Sequence, residues 1–426
     1  MRRVVILGGG YAGLHAFSAL RSRLRASLAR NEVELLLVSR DGYHTYHGWT
    51  GEVLNGDLPV NSTLTPLQPI LGLSFLQGEV VSADLSGNTL TVVTEEGEHQ
   101  ELAFDHLVIA AGSTDPFDRI PGLGEHGWCV KDTRDMQKLV GHLQSWDTAA
   151  TRTRNVVVVG GGLAGVESAS ALAARFGKNR AGKVNIHLVS SSEKLLPSLR
   201  PSFNHIADTA TRTLTEQGVQ LHHNARAAEI FEDHVELADG KTLSADLTIV
   251  AAGVSFRTLA GTQSLPRNAA GQIIAGNDLR VGGRDNIWVA GDIAAVSHPV
   301  TGEPCPANAL WAMKQGDCVG SNIARVLKGR PAKRFNFRGL GQSAGLAGQR
   351  GITELFTLQF TGRLAWVIRV LFFAWYMPSR RRAFPIVSHL SRQLWTATIG
   401  PVFEGTRTPA QTADVAPVAN LSSRAR

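Results

Sequence analysis

An internal repeat constrains this chain more than any other feature. Val4-Val-Ile-Leu-Gly-Gly-Gly-Tyr-Ala-Gly13 recurs as Val156-Val-Val-Val-Gly-Gly-Gly-Leu-Ala-Gly165. Downstream, Leu35-Leu-Leu-Val-Ser39 is echoed by Ile186-His-Leu-Val-Ser190, and Leu107-Val-Ile-Ala-Ala-Gly112 by Thr248-Ile-Val-Ala-Ala-Gly253, in the same order. Each aliphatic run that ends in glycine reads as a strand buried on both faces of a parallel sheet, followed by a tight turn and a helix. In the GxGxxG pattern, Gly8 and Gly160 permit the turn, Gly10 and Gly162 let backbone N–H groups approach a pyrophosphate, and Gly13 and Gly165 allow close helix–strand packing. One such turn is a weak signal, because glycine-rich turns are common. Two turns, each after a strand and each followed by another strand, predict an α/β chain with two Rossmann-like dinucleotide-binding units.

Composition narrows the classes. At 426 residues, with 43% hydrophobic and 19% charged, the chain has the length and balance of two or three folded units. Cys129, Cys305 and Cys318 are too widely spaced for a CxxC redox pair, a zinc motif or a disulfide framework, which suits a reducing compartment. Glycines 8 to 10 interrupt the apolar start too early for a signal peptide, and no run approaches the ~20 apolar residues of a membrane span. The net charge of +7 is unevenly placed, with residues 328–426 carrying fifteen Lys/Arg against Glu354, Glu404 and Asp414. A basic end on an acidic body suits an anionic surface.

A third strand-and-turn block, Asn286-Ile-Trp-Val-Ala-Gly-Asp292, follows both glycine turns. Together the blocks resemble the flavoproteins with two dinucleotide-binding domains. That resemblance implies FAD at the first turn, a nicotinamide nucleotide at the second, and a nicotinamide domain inserted in the FAD domain. The expected map is 1–115 and 256–330 for the two parts of the FAD domain, and 116–255 for the NAD(P)H domain. Residues 331–405 form a C-terminal membrane-associating region, and a disordered tail covers 406–426. A meander is expected around Phe75–Thr94.

Within that group the chain looks most like the type II NADH dehydrogenases, which pass electrons from NADH through FAD to quinone without pumping protons. Tyr43-His44 with Glu52-Val53, Phe104-Asp-His-Leu-Val-Ile-Ala-Ala-Gly-Ser113 and Gly165-Val-Glu167 carry the likeness. It implies FAD contacts from Gly8, Gly10, Gly13, Ser39, Arg40, Val80, Ala111, Gly112, Gly291, Asp292 and Ala309. For the nicotinamide nucleotide it implies Gly160, Gly162, Gly165, Ser190 and Gly253. Glu167 resembles a family glutamate that faces nicotinamide and flavin. Hydride would pass from nicotinamide to flavin, and the protein's part is to position the two.

Two departures bear on the acceptor. The family helix Ala-Gln-x-Ala-x-Gln stands here as Ala309-Leu-Trp-Ala-Met-Lys314, without either glutamine, and Gly48 replaces a proline in Tyr46-His-Gly-Trp49. Lys314 then brings positive charge to where negative charge develops, and His47 is a candidate proton donor. Ser39 and Ser190 occupy the positions where a carboxylate would meet ribose hydroxyls, which leaves the choice between NADH and NADPH open.

Residues Leu364–Met377 are apolar and aromatic but short, contain Arg369, and are followed by Arg380, Arg381 and Arg382 and then Phe384, Leu390, Leu394 and Trp395. Rings beside clustered arginines suit the interface of an anionic membrane, on the cytoplasmic face of the cell membrane. A buried helix or a homodimer contact is the competing reading of this stretch. No nucleic-acid motif accompanies the charge. Disulfide and sulfide:quinone reductases need cysteines that the sequence does not place near the turns. A flavoprotein with another acceptor, or a redox sensor or assembly protein with little turnover, stays as the alternative.

Overall fold

The computed structural model describes residues 1–148, 152–177 and 184–403. The first sheet has seven strands in the order Ile287–Val289, His106–Ile109, Arg2–Leu7, Val33–Ser39, Phe75–Asp84, Thr89–Thr94, His99–Ala103. Its first five strands are parallel, and the last two turn back as the antiparallel meander. The runs that read as doubly covered strands are so: Val4, Val5 and Ile6 are fully buried, as are Leu107 and Val108. Helices on both faces keep water from the backbone of such a strand and leave only aliphatic side chains to pack.

The second sheet is all parallel, in the order Gln220–His222, Val184–Val189, Arg154–Val159, Leu247–Val250, Gly127–Cys129. Its chain leaves the first sheet after His106–Ile109 and returns to it at Ile287–Val289, which pairs directly with His106–Ile109. This is the inserted arrangement.

The Ala309–Val326 helix crosses the Tyr11–Arg23 helix at close range. A side chain on Gly316 or Gly320 would overlap the carbonyls of Ala12 and Ala16. Two glycines one helical turn apart thus bring the late helix against the first glycine turn.

The C-terminal region is an antiparallel sheet, Gly341–Leu346, Arg350–Leu355 and Leu358–Thr361, followed by helices Gly362–Tyr376 and Arg380–Phe403. No helix among the described residues is long and apolar enough to cross a membrane. The Gly362 helix is two-faced. Ala365, Trp366, Arg369 and Val370 are buried, whereas Leu364, Leu371 and Trp375 are exposed. Two expectations for this stretch are corrected. Arg369, read as part of a surface-seeking segment, is 1% exposed. Arg382 turns inward and donates to the carbonyls of Leu64 at 2.6 Å and Asn61 at 3.2 Å, whereas Arg380 and Arg381 are exposed. The side chains of Leu394 and Trp395 and the tail from Thr406 lie outside the described residues.

Candidate functional site

Both glycine turns sit at the C-terminal ends of parallel strands, where an open α/β sheet offers its ligand crevice. Gly8 at φ +112° and Gly160 at φ +131° make the reversal, and a Cβ on either would overlap the carbonyl of Ala110 or Ala251 on the neighbouring crossing. Gly13 and Gly165 press their helices onto the carbonyls of Gly8 and Gly160. Gly10 and Gly162 differ, because a Cβ there would meet nothing within 4 Å. The middle glycine of each turn therefore faces open space, which is the cradle a pyrophosphate needs. Gly112 and Gly253, at the ends of the matching crossings, also face open space.

A buried orphan points the same way. His44 is 1% exposed, its Nδ1 lies 3.1 Å from the Gly9 carbonyl, and its Nε2 has no protein partner. Such an atom marks a place for a bound group, since a buried acceptor without a partner is costly. Donation from Nδ1 to Gly9 leaves Nε2 as the acceptor. Burial holds this imidazole neutral by pulling its pKa down to about 3. The residues present thus fit a dinucleotide such as FAD at the first turn.

Asp292 follows Gly291 at the end of Ile287–Val289. It accepts from Ser113 Oγ at 2.6 Å and from Lys131 Nζ at 3.1 Å, and Lys131 also donates to Ser113. Lys131 comes from the second unit, so this aspartate ties the two together, a role that nothing around Lys131 in the sequence announces. Gln315 was also missed. Its side chain is 3% exposed, and its Oε1 accepts from the Gly291 N–H at 2.8 Å. The Ala309 helix thereby keeps a glutamine at the turn, one residue beyond the glutamine-less stretch Ala309–Lys314.

Among the other expected FAD contacts, Ser39 packs against Gly9, where a Cβ would come 2.9 Å from its Oγ. Arg40 lies half-exposed beside Asp41 and Asp132. Val80 is buried in the core, which leaves only its main chain for a nucleotide. Ala110 and Ala111 back the first turn, and Ala309 begins the late helix.

Lys314 lies on that helix with its Nζ 3.8 Å from Asp317 and 5.9 Å from the centre of the Tyr376 ring. His47 is half-buried, and burial with the nearby Lys131 charge pulls its pKa down to about 4. Its main-chain N–H donates to Tyr11 Oη at 2.9 Å.

Glu167 is turned to the C-terminal region. Its Oε1 accepts from Gly345 N–H at 2.5 Å and lies 3.0 Å from Arg369 Nη2. Arg369 also binds Glu52 at 2.6 Å and the Gly48 carbonyl at 2.7 Å. Burial pushes Glu167 up against the pull of Arg369, while the two carboxylates keep the buried guanidinium charged. The loop Tyr46–Trp49 is held from the same helix by Tyr46 Oη donating to the Phe373 carbonyl at 2.7 Å and Trp49 Nε1 lying 3.4 Å from Met377 Sδ.

Ser190, 2% exposed, lies beneath Gly161, and its Oγ accepts from Ser192 N–H at 3.2 Å. The three cysteines are free. Burial pushes the thiols up, Cys305 to about 11 and Cys318 to about 12, so neither is a thiolate at neutral pH. Among the described residues no cluster of three metal-ligating side chains occurs.

A model of the family described as pyridine nucleotide-disulphide oxidoreductase matches residues 2–316. A demethylphylloquinone reductase, NdbB, from Synechocystis is 27% identical over 383 residues, covering 88% of this chain and 92% of that protein. A type II NADH:quinone oxidoreductase from Staphylococcus aureus is 28% identical over 384 residues, covering 85% and 92%. The solved structure of NDH2 from Plasmodium falciparum in complex with NADH superposes with a TM-score of 0.79 at 16% identity, over 93% of this chain and 99% of that one.

Proposed function

The chain belongs to the pyridine nucleotide-disulphide oxidoreductase family, and from that premise we propose that it is an NAD(P)H:quinone oxidoreductase of the type II NADH dehydrogenase kind. The observation that carries this is the pair of open glycine cradles, Gly10 and Gly162, at the ends of parallel strands in two separate sheets. Two dinucleotides on one chain suit electron transfer between them, and the absence of paired thiols at the turns argues against a disulfide acceptor. The flavin, when bound, supplies the two-electron chemistry. The chain's own residues hold and shape its site. Gly10 and the N-terminus of the Tyr11 helix receive the pyrophosphate, Asp292 orients the polar side chain of the cofactor, and His44 offers Nε2 as an acceptor.

Lys314 supplies positive charge on the acceptor side, in the position where the family resemblance implies a glutamine. Glu167 acts through Arg369, which fixes the Gly48 carbonyl, as a positioning group. The exposed face of the Gly362 helix, with Arg380 and Arg381, attaches the protein to an anionic membrane on the cytoplasmic side, where a lipid-soluble quinone is found.

The deciding experiment is anaerobic. The yellow protein should bleach with NADH within the mixing time of a turnover assay and regain its colour when a short-chain quinone is added. Reduction that is slow, and colour that stays lost after quinone, would favour a redox sensor.

A further inference from the structure

We propose that the second glycine turn accepts a 2′-phosphorylated nucleotide, NADPH, at least as readily as NADH. The proposal rests on the reading of that turn as the nicotinamide site and concerns only its adenosine end.

Selection for NADH works by a carboxylate at the end of the second strand, which binds both ribose hydroxyls and repels a 2′-phosphate. The strand Val184–Val189 ends instead in Ser190. This hydroxyl already accepts from Ser192 N–H at 3.2 Å and packs under Gly161, so it brings no negative charge to the ribose. The loop is also fastened to the end of the next strand. Ser190 N–H donates to the His222 carbonyl at 2.8 Å, Ala225 N–H to the Ser190 carbonyl at 2.8 Å, and Asn224 N–H to the Ser192 carbonyl at 3.2 Å.

The side chains on these two joined loops are hydroxyl, neutral or basic, with one exception. Ser191, Lys194, His223 and Arg226 are exposed, and so is Glu193. The nearby Asp208 is held by Arg200 at 2.6 Å, which cancels its charge locally. Glu193 is thus the one acid on the two loops, against the basic Lys194 and Arg226 and the exposed Ser191 hydroxyl, groups that can donate to phosphate oxygens. A built acid at Ser190 would reverse that balance.

The test uses the flavin-loaded protein and two probes that lack nicotinamide, so binding is read by calorimetry without turnover. These are adenosine 5′-monophosphate and adenosine 2′,5′-bisphosphate. The bisphosphate should bind as tightly or more tightly, and its affinity should fall more steeply with salt. Lys194→Ala should weaken the bisphosphate roughly fivefold and leave the monophosphate within about twofold, as expected for one charge-assisted contact. Ser190→Glu should weaken it by about tenfold or more through like charge beside the 2′-phosphate. If the wild type binds the bisphosphate about tenfold less tightly than the monophosphate, the proposal is overturned and the nicotinamide reading stands. If neither probe binds, the nicotinamide reading of this turn falls, and the proposal with it.

Discussion

Glu167, on the helix of the second glycine turn, lies 3.0 Å from Arg369, which the C-terminal helix buries between it and Glu52. One guanidinium thus joins the helix of the second glycine turn, the loop beside the first turn and the C-terminal region. Burial pushes Glu167 up, Arg369 and the Gly345 N–H pull it back, and the second carboxylate, Glu52, adds a smaller push upward. Removing the cation should be costly. Arg369→Met is expected to destabilise the protein by about 3–5 kcal/mol, because two buried carboxylates lose their partner. Adding Glu52→Gln should recover part of that loss, and Arg369→Lys should lose less. Urea denaturation of the single and double variants checks this, and equal stability of Arg369→Met and wild type would contradict it.

The two kinds of glycine in each turn should fail differently. At Gly10 the backbone is at φ −77° and a Cβ meets no protein atom, so Gly10→Val should fold and lose only the flavin. At Gly13 a Cβ overlaps the Gly8 carbonyl, so Gly13→Val should lose the fold as well. Absorbance near the flavin band, set beside circular dichroism, separates the two outcomes. A yellow Gly10→Val protein would refute the first turn as the FAD site.

The same logic at the second turn yields a cleaner kinetic result. Gly162 is at φ −83° with open space around it. Gly162→Val should therefore keep its flavin and its stability but lose reduction by NADH, since the second sheet forms around a separate ligand. Stopped-flow bleaching at the wild-type rate would show that the nicotinamide nucleotide binds elsewhere.

His44 sets a pH dependence whose sign is fixed by burial. Its pKa falls from the ordinary 6.5 to about 3 in the folded protein. A depressed value means that the unfolded chain binds the proton first. The stabilisation is complete above about pH 6.5 and is lost as pH falls toward 3. The effect can be isolated by comparison with His44→Asn, whose amide can still donate to Gly9 but does not titrate. The stability difference between the two proteins should shift against wild type by about 1.4 kcal/mol per pH unit between pH 6 and 4. Asp115, raised to about 6 by burial, acts in the opposite sense in both proteins and cancels in the difference. Parallel curves would place His44 in contact with water.

Much of this architecture is legible in the sequence because the repeat is local. Val4–Gly13 and Val156–Gly165 each spell strand, turn and helix within ten residues, and the physical demands on each glycine are met within that span. The parts that were not legible depend on partners far away. Arg369 sits in an aromatic run with no acid nearby, and its burial follows from Glu52, 317 residues earlier. Gln315 directly follows the glutamine-less stretch Ala309–Lys314, and only the helix phase set by Gly316 and Gly320 aims it at Gly291. Arg382 shares a sequence cluster with Arg380 and Arg381, yet one position around a helix separates two main-chain carbonyls from solvent.

That separation decides how membrane attachment should be tested. Reversing all three arginines would break the contacts of Arg382 with Leu64 and Asn61 and confuse docking with folding. Arg380 and Arg381 are exposed, and Arg380 lies 4.3 Å over the Trp375 ring, itself 64% exposed. Leu364, Leu371 and Phe384 are also exposed, at 59%, 58% and 76%. Apolar side chains of this size standing in water beside arginines suit insertion at headgroup depth, with each charge contributing roughly 1 kcal/mol on an anionic surface. Arg380→Glu with Arg381→Glu should keep flavin content and activity with a soluble acceptor, while sedimentation with anionic vesicles falls. Trp375→Ser should reduce binding with less dependence on salt, because it removes insertion and leaves the charge. Wild-type binding should weaken as salt rises, since exposed charges are screened over ~8 Å at physiological ionic strength. If wild type ignores anionic vesicles at low salt and instead sediments as a dimer that Trp375→Ser dissociates, the exposed face is a contact between two copies of the chain.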